Sequence, residues 1–233
     1  MKQIRSVDIG RRRYADAWDL QRKLFDARLE GRTGDLLLYT EHHHVYTIGK
    51  GGDENHLLAT ESELEEGGVD VFQIDRGGDI TYHGPGQVVG YPIIDLQDYK
   101  TDLHWYLRSL EEVIILAIRD FGLEGNREEG MTGVWVGGEK IAAIGVKVSR
   151  WITMHGFALN VNTDLSKFGR IIPCGIFHKG VTSMERLLGK SVQLNRVHES
   201  LDRAFGKVFD RSVMREKESM LKRHIESNEP ANA

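Results

Sequence analysis

The chain has 233 residues, of which 40% are apolar and 28% charged, and its formal net charge at pH 7 is −4. This composition is typical of a globular protein and excludes a disordered chain, and the length is enough for one substantial core. No apolar run could span a bilayer and no apolar block follows the charged N-terminus as in a secretory signal, so we expect a cytoplasmic protein.

The first half of the chain alternates helical and extended patterns. Trp18, Leu20, Leu24 and Leu29 recur among charged residues and predict a helix at 14–29. Further elements are predicted from apolar and β-branched runs, from charge and from flanking turn residues. They are a strand pair within 35–48, a short acidic helix at 59–66, and strands at 69–74 and 87–94.

The clearest helical pattern lies between Thr101 and Gly122. Thr101 is a plausible N-cap, and Gly122 stands where a helix would stop. One apolar stripe at spacings of three and four residues joins Leu103, Leu107, Leu110, Ile114, Ala117 and Phe121.

The second half begins with strands and ends with a helix. Strands are predicted at 133–136, 140–148 and 151–161, with turns at Gly137-Gly138 and Ser149-Arg150, and a last helix begins at 195 and runs to 209. This mixture predicts an α/β (α+β) fold, with a mixed sheet packed by helices. We expect one domain at 1–213 and a charged tail at 214–233 that is partly disordered.

Charge is distributed unevenly along the chain. Residues 51–70 carry seven acidic side chains and no Lys or Arg, whereas residues 140–190 carry eight basic and two acidic side chains. A basic region in an acidic protein favours an acidic partner or an anionic ligand. The chain has no nucleic-acid-binding signature, and we expect neither nucleic acid nor a membrane as a partner.

Cys174 is the single cysteine, so no internal disulfide and no multi-cysteine zinc site can form. A free cysteine is often an inert core residue. Here Pro173 and Gly175 break regular structure around the thiol, and Lys167, Arg170 and Lys179 lie nearby in the sequence. Because positive charge lowers a thiol pKa, Cys174 is also a candidate nucleophile.

A reactive thiol needs a base or a cation beside it. The candidates are His83, Lys140, Lys147, His155 and His178. Lys140 and Lys147 are seven positions apart, so on one regular strand they would point to opposite faces. At most one of the two lysines would then share a face with Cys174, and the residues alone do not decide between the candidates.

A glycine-rich segment, RGGDITYHGPGQVVGYPI, occupies 76–93. Gly77-Gly78 and Gly84-Pro85-Gly86 could be plain turns around a short strand. Alternatively, the missing side chains let the backbone approach a ligand closely. The histidines at 42–44 do not predict a metal site, because adjacent histidines cannot all face one ion and no carboxylate pattern completes a site.

Several motifs occur together in one order. They are EHHHVYTIGKGG at 41–52, RGGDITYHGPGQ at 76–87, KIAAIG at 140–145, HGFALNV at 155–161 and PCG at 173–175. Over about residues 34–189 the chain resembles the lipoyl(octanoyl) transferases. The resemblance implies the fold of the biotin/lipoate protein ligase catalytic domain.

The resemblance also implies the site residues. Cys174 would be the nucleophile, and Lys140, which begins the family's lysine motif, would lower the pKa of the thiol and shuttle its proton. Tyr82 and His83 would wall the reactive end of an acyl pocket with a glycine-rich floor. The implied substrate-binding residues are Arg76, Gly77, Gly78, Asp79, Ile80, Thr81, Tyr82, His83, Ala143, Ile144, Gly145, Gly156, Phe157 and Ala158.

The implied reaction moves an octanoyl group from octanoyl-acyl carrier protein, through a thioester on Cys174, to a lysine of an acceptor protein. The acceptors would be lipoyl domains of 2-oxoacid dehydrogenase complexes and the glycine cleavage H protein, and no cofactor or metal would be needed. Three alternatives remain: an ATP-dependent lipoate or biotin ligase of the same fold, a thioesterase that uses Cys174, and a non-catalytic module that binds acyl carrier protein or lipoyl domains.

Overall fold

The computed structural model describes residues 3–172 and 180–226, which form the following strands and helices. The strands are β1 (Gln3–Arg12), β2 (Asp35–His42), β3 (Val45–Ile48), β4 (Asp70–Gln73), β5 (Ile80–His83), β6 (Gln87–Ile93), β7 (Asn126–Glu128), β8 (Met131–Val136), β9 (Glu139–Ser149), β10 (Ile152–Asn160) and β11 (Ser212–Glu216). The helices are α1 (Tyr14–Leu29), α2 (Glu61–Glu66), α3 (Leu103–Arg119), α4 (Met184–Leu188), α5 (Leu194–Phe209) and α6 (Leu221–Glu226). Within these two ranges no helix has both the length and the apolar character needed to cross a membrane.

Eight of these strands form one large mixed sheet in the order β11-β1-β2-β6-β10-β9-β8-β7. Strand β1 runs parallel to β2 and β11, and the other neighbours are antiparallel. Successive strands from β8 to β10 are joined by tight turns, as the hairpin pattern predicts. The predicted mixed sheet packed by helices is confirmed.

Helices cover both faces of the large sheet, and β2 shows how the sequence achieves this. Leu36 and Leu38 pack with Ala17 and Leu24 of α1, whereas Leu37 packs on the other side with α3 and α5. Alternate residues of a strand point to opposite faces. A strand buried on both faces is therefore a continuous apolar run rather than an alternating one.

A second sheet of three strands, in the order β4-β3-β5, carries the glycine-rich segment. The sequence predicts that 35–48 forms a strand pair, and this prediction is wrong. Both edges of β2 are occupied by β1 and β6, so β3 pairs with β4 and β5 in the other sheet. The chain thus passes between the two sheets at His43 and His44.

Two local signals are misplaced by one residue in the sequence analysis. Helix α3 is capped by Asp102, whose carboxylate accepts an N–H of the first turn at 3.0 Å, and not by Thr101. Short acceptor side chains are interchangeable as N-cap signals when they are adjacent. The second hairpin turns at Arg150 and Trp151, with φ of 51° and 64°, rather than at Ser149 and Arg150, whereas the predicted turn at 137–138 is confirmed.

The charged segment that begins at 214 contributes to the fold within the described residues, up to 226. Strand β11 pairs with β1 from Gln3↔Ser212 onward, so it extends the large sheet by one strand. Leu221 of α6 is buried and packs near α1, with Ile225 partly buried beside it. Leu221 and Ile225 are four positions apart and therefore lie on one helical face. The polar and charged residues between them obscure this apolar pattern in the sequence.

Candidate functional site

A cavity of about 520 Å³ lies where the segment at 76–83 covers strands β9 and β10. Tyr14 of α1 and Val89 and Tyr91 of β6 complete part of its wall, and Lys140 lines it near one end of β9. Most of the lining surface is apolar. A concave apolar site with a few polar groups is typical of small-molecule binding.

Glycines allow the segment at 76–83 to pack directly on the large sheet. A Cβ at Gly145 would lie 2.8 Å from the carbonyl oxygen of Gly77 and 2.9 Å from Cδ of Arg76. The N–H of Gly77 donates to the carbonyl of Val146 at 2.9 Å. Backbone therefore lies against backbone, and only glycine permits this approach at 145.

Arg76 places a buried positive charge in the cavity wall. Its Nη2 donates to the carbonyl of Thr47 at 2.7 Å and to Thr47 Oγ1 at 3.0 Å, and its Nη1 donates to the carbonyl of Gly77 at 3.1 Å. Buried charges persist when hydrogen bonds replace their lost hydration. The positive charge of Arg76 also contributes to lowering the pKa of His83 and of His155, although burial is the larger cause.

The structure brings most of the predicted substrate-binding residues to this cavity. Residues 76–81, His83, 143–145 and 156–158 all line it. Tyr82 does not, which corrects the expectation that it walls the reactive end. Its ring packs in the small sheet and its hydroxyl is 2.7 Å from Nδ1 of His44, because alternation along β5 turns it away from His83.

Lys140 and Lys147 lie at opposite ends of β9. Lys147 Nζ is 2.5 Å from a carboxylate oxygen of Asp75. Lys140 Nζ lies 4.8 Å from the ring centroid of Trp135, and Lys140 lines the cavity whereas Lys147 does not. The register shifts by one residue between the Val134 and Trp135 pairs, so simple alternation along β9 does not extend to Lys140.

Gly133 makes room for the Lys140 side chain. Its φ of 138° is left-handed, and a Cβ there would lie 3.4 Å from Cε of Lys140 and 2.7 Å from the carbonyl oxygen of Ala142. A residue with a side chain would be strained at this φ and would also push the lysine stem. Gly133 and the irregular pairing of β8 with β9 therefore set the path of Lys140 toward the cavity.

Cys174 and His178 lie outside the described residues, but hydrogen bonds hold the chain on both sides of 173–179. Before the gap, the N–H of Ile172 donates to the carbonyl of His56 at 2.8 Å. After the gap, the N–H of Lys140 donates to the carbonyl of Gly180 at 2.9 Å, and the N–H of Thr182 donates to the carbonyl of Lys140 at 3.0 Å. The segment that follows Cys174 thus pairs with Lys140 itself.

Buried histidines near the cavity are held neutral. Burial lowers the pKa of His42 to about 4 and that of His83 to about 3. Burial also lowers the pKa of His155, although its hydrogen bond with Asp75, at 2.8 Å, opposes this shift. These imidazoles carry no charge near pH 7, which keeps the wall around them compatible with an apolar ligand.

The neutral histidines predict that the protein loses stability in mild acid. Each imidazole binds a proton near pH 6.5 when unfolded but only near pH 4 or 3 when folded. Between these values the unfolded state holds more protons, so the free energy of unfolding falls as pH falls below 6.5. We expect His42 and His83 together to cost about 3 kcal/mol between pH 7.5 and 5.5.

Urea unfolding at these two pH values checks this prediction. His42→Gln should remove about 1.4 kcal/mol of the pH-dependent loss, because glutamine does not titrate. His43→Gln is the matched control, since His43 is the exposed neighbour and should change the loss little. An equal pH dependence in the parent and in His42→Gln would contradict the assignment.

The histidines at 42 and 44 form hydrogen bonds in different sheets. His42 Nε2 is 2.7 Å from the hydroxyl of Tyr91, and His44 bonds Tyr82 in the other sheet. Across 3–172 and 180–226, no group of three His, Cys, Asp or Glu side chains could hold a metal ion.

Sequence reasoning missed several residues of the cavity wall. Tyr14 and Trp135 line it but lie outside the motifs, and Tyr91 lines it from within the glycine-rich segment without a predicted role. They are far apart in the chain, so only the sheet order brings them together. Asn160 lies inside the motif HGFALNV without a predicted role.

Sequence comparison now bears on this site. The profile of the lipoyl protein ligase A/B catalytic domain matches residues 13–206, most of the chain. The chain belongs to this family. An octanoyltransferase of Flavobacterium johnsoniae is 52% identical over 204 residues, which are 81% of this chain and 88% of that protein. An octanoyltransferase of Rubrobacter xylanophilus is 55% identical over 197 residues, 84% of this chain and 88% of that protein.

Solved structures of lipoate and biotin protein ligases share the fold. The bi-partite lipoate protein ligase of Thermoplasma acidophilum superposes with a TM-score of 0.70 at 15% identity, covering 97% of this chain and 92% of that one. A lipoate-protein ligase A bound with ATP gives 0.65 at 15% identity, covering 96% and 93%. A biotin protein ligase from Aquifex aeolicus gives 0.51 at 11% identity, covering 90% and 69%. The predicted lipoate/biotin ligase fold is confirmed.

Proposed function

We propose that the protein is an acyltransferase that moves an octanoyl group from octanoyl-acyl carrier protein to a lysine of a lipoyl domain, through a thioester on Cys174. The observation that carries the proposal is the pairing of Lys140 with 180–182 at a largely apolar cavity. This pairing brings the chain that follows Cys174 to the lysine. The octanoyltransferase relatives, at about half identity over most of their length, support the same chemistry.

The cavity has the character that an unbranched acyl chain requires. Apolar surface is supplied by Ile80, Val89, Ile144 and Phe157. The glycines at 77–78 have no side chains that would narrow the cavity. The histidines in the wall are neutral. Burial of methylene groups in such a site is favourable by about 0.8 kcal/mol each, so the chain itself supplies much of the binding energy. The residues proposed to contact it are those predicted from the sequence, except Tyr82.

In the first half-reaction, neutral Lys140 accepts the proton of the Cys174 thiol. The thiolate attacks the thioester carbonyl of the donor, and the carbon–sulfur bond to the carrier breaks as the new one forms. The lysinium then returns its proton to the departing pantetheine thiolate. One thioester replaces another, so the exchange requires little net free energy.

In the second half-reaction, the amine of an acceptor lysine attacks the acyl-cysteine carbonyl. The bond to sulfur breaks, an amide forms, and the proton lost by the amine is passed through Lys140 to the thiolate. An amide is more stable than a thioester, so the reaction proceeds without ATP. Each half-reaction passes through an oxyanion that backbone N–H groups would stabilise.

The proposed partners are acidic proteins, and the charge of the site region matters for them. The donor is acyl carrier protein, and the acceptors are lipoyl domains of 2-oxoacid dehydrogenase complexes and the glycine cleavage H protein. Arg170 is paired with Glu63 at 2.8 Å, whereas Lys190 is exposed. Positive side chains of this region would steer such partners toward the site. A free thiol suits a reducing compartment, for which we propose the cytoplasm.

A donor comparison tests the proposed function. The protein is incubated with an unmodified lipoyl domain and either octanoyl-acyl carrier protein without ATP or octanoate with ATP and Mg²⁺. We expect octanoylation of the lipoyl domain from the thioester alone. Octanoylation only from octanoate with ATP would overturn the proposal in favour of a ligase. Release of octanoate from the thioester without an acceptor would overturn it in favour of a thioesterase.

A further inference from the structure

A line of buried amides connects the glycine-rich segment with the chain beside Lys140. Gln87 Nε2 donates to the carbonyl of Tyr82 at 3.2 Å and to Asn160 Oδ1 at 2.9 Å. Asn160 Nδ2 donates to the carbonyl of Thr182 at 3.0 Å. The N–H of Thr182 in turn donates to the carbonyl of Lys140 at 3.0 Å. The two side-chain amides are thus linked to the backbone of Lys140 through one residue, Thr182.

The directions of these hydrogen bonds are fixed from one end. The carbonyl of Thr182 can only accept, so the NH₂ group of Asn160 faces it and Oδ1 faces Gln87. Gln87 must then present its NH₂ group to Asn160, which leaves its Oε1 2.8 Å from Nδ1 of His83. Nδ1 therefore carries the ring proton, and Nε2 accepts from the hydroxyl of Thr47 at 3.4 Å.

The other end of the line is compatible with this tautomer. Arg76 donates to Thr47 Oγ1 at 3.0 Å, and the hydroxyl can still donate its own proton to Nε2 of His83. The nitrogen and the oxygen of both amides, Gln87 and Asn160, each have a hydrogen-bond partner in this orientation, and such connected buried networks favour one arrangement of the surrounding backbone.

We propose that Asn160 is a positioning residue for the transfer reaction. Its amide holds the carbonyl of Thr182, and so it holds segment 180–182 in one register against Lys140. That segment follows Cys174 in the chain. The inference rests on the proposed function, because the register matters only where the Lys140 amine and the Cys174 thiol exchange a proton.

Alkylation of the single cysteine tests the proposal without any substrate. The rate of modification by iodoacetamide is measured by intact mass at pH 7 and at pH 9.5, where the thiol is largely ionised in each variant. Asn160→Asp keeps the shape and the bond to Gln87 but cannot donate to the carbonyl of Thr182. We expect its rate at pH 7, relative to that at pH 9.5, to fall about tenfold, which corresponds to a rise of about 1 in the pKa of the thiol.

Asn162→Asp is the matched control. Asn162 Nδ2 donates to the carbonyl of Val192 at 2.8 Å, so the same substitution removes the same kind of bond two residues away, at a site that does not touch Lys140 or 180–182. Its ratio of rates should stay within about twofold of the parent. Equal ratios in Asn160→Asp and Asn162→Asp would overturn the proposal. If Asn160→Asp does not fold, Asn160→Ser, which introduces no buried charge, decides by the same comparison.

Lys140→Met separates failure of this inference from failure of the proposed function. With the proposed cysteine–lysine pair, this variant should lower the ratio at least as much as Asn160→Asp. An unchanged ratio in Lys140→Met would overturn the pair itself. A lowered ratio in Lys140→Met together with an unchanged one in Asn160→Asp would overturn only the role of Asn160.

Discussion

Replacing Cys174 by serine should slow transfer of octanoate to a lipoyl domain by at least about 10³-fold. The hydroxyl of serine has a pKa far above that of a thiol, so an amine such as that of Lys140 deprotonates it much less readily at neutral pH. The alkoxide is also a poor leaving group in the second half-reaction, which means that an oxygen ester, once formed, would transfer slowly. Initial rates with octanoyl-acyl carrier protein and a lipoyl domain measure the effect.

Because the chain has one cysteine, no second thiol can take over this role. Binding of the donor should survive the substitution, since the acyl chain is proposed to contact the cavity and not the sulfur alone. We therefore expect kcat to fall while the dissociation constant for the donor changes little. A serine variant that transfers as fast as the parent would rule out covalent catalysis by Cys174.

Replacing Lys140 by methionine should slow acylation of Cys174 by about 10²- to 10⁴-fold, the usual contribution of a positioned general acid–base group. Methionine fills a similar volume beside Trp135 and Gly133 but neither accepts nor returns a proton. Single-turnover acylation by an octanoyl thioester, followed by intact mass, isolates this half-reaction. The deficit should shrink as pH rises, because hydroxide increasingly ionises the thiol without the lysine.

Lys147→Met is the matched control on the same strand. Lys147 Nζ lies 2.5 Å from Asp75 at the other end of β9, and Lys147 does not line the cavity. Loss of this half-exposed ion pair should cost about 1 kcal/mol of stability or less, and acylation should stay within a few-fold of the parent. Equal losses in Lys140→Met and Lys147→Met would refute the choice of Lys140.

Local periodicity predicted the elements of the fold better than their partners. The helix at 14–29 and the turn at 137–138 follow from spacing and glycine chemistry, which act over a few residues. The pairing of β3 with β4 and β5, and of β1 with β11, depends on which sheet edges remain open. That is a property of the whole chain, and no local pattern contains it. The strand pair within 35–48 failed for this reason.

The candidate site divides in the same way. The residues alone left Lys140 among several candidate partners of Cys174, and the resemblance to a family singled it out. The same resemblance implied a ligand contact for Tyr82, whose ring packs inside the small sheet. The hydrogen bonds of Asn160 join segments that are distant in the chain. Contacts between distant segments are invisible to spacing along one chain.

Intact mass of the protein after exposure to octanoyl-acyl carrier protein, without ATP and without an acceptor, tests the central claim most directly. The account predicts an adduct of one octanoyl group per chain, located on the peptide that contains Cys174, which disappears when a lipoyl domain is added as that domain gains the group. The account would be contradicted if no adduct formed without an acceptor while the same protein octanoylated an added lipoyl domain at the usual rate.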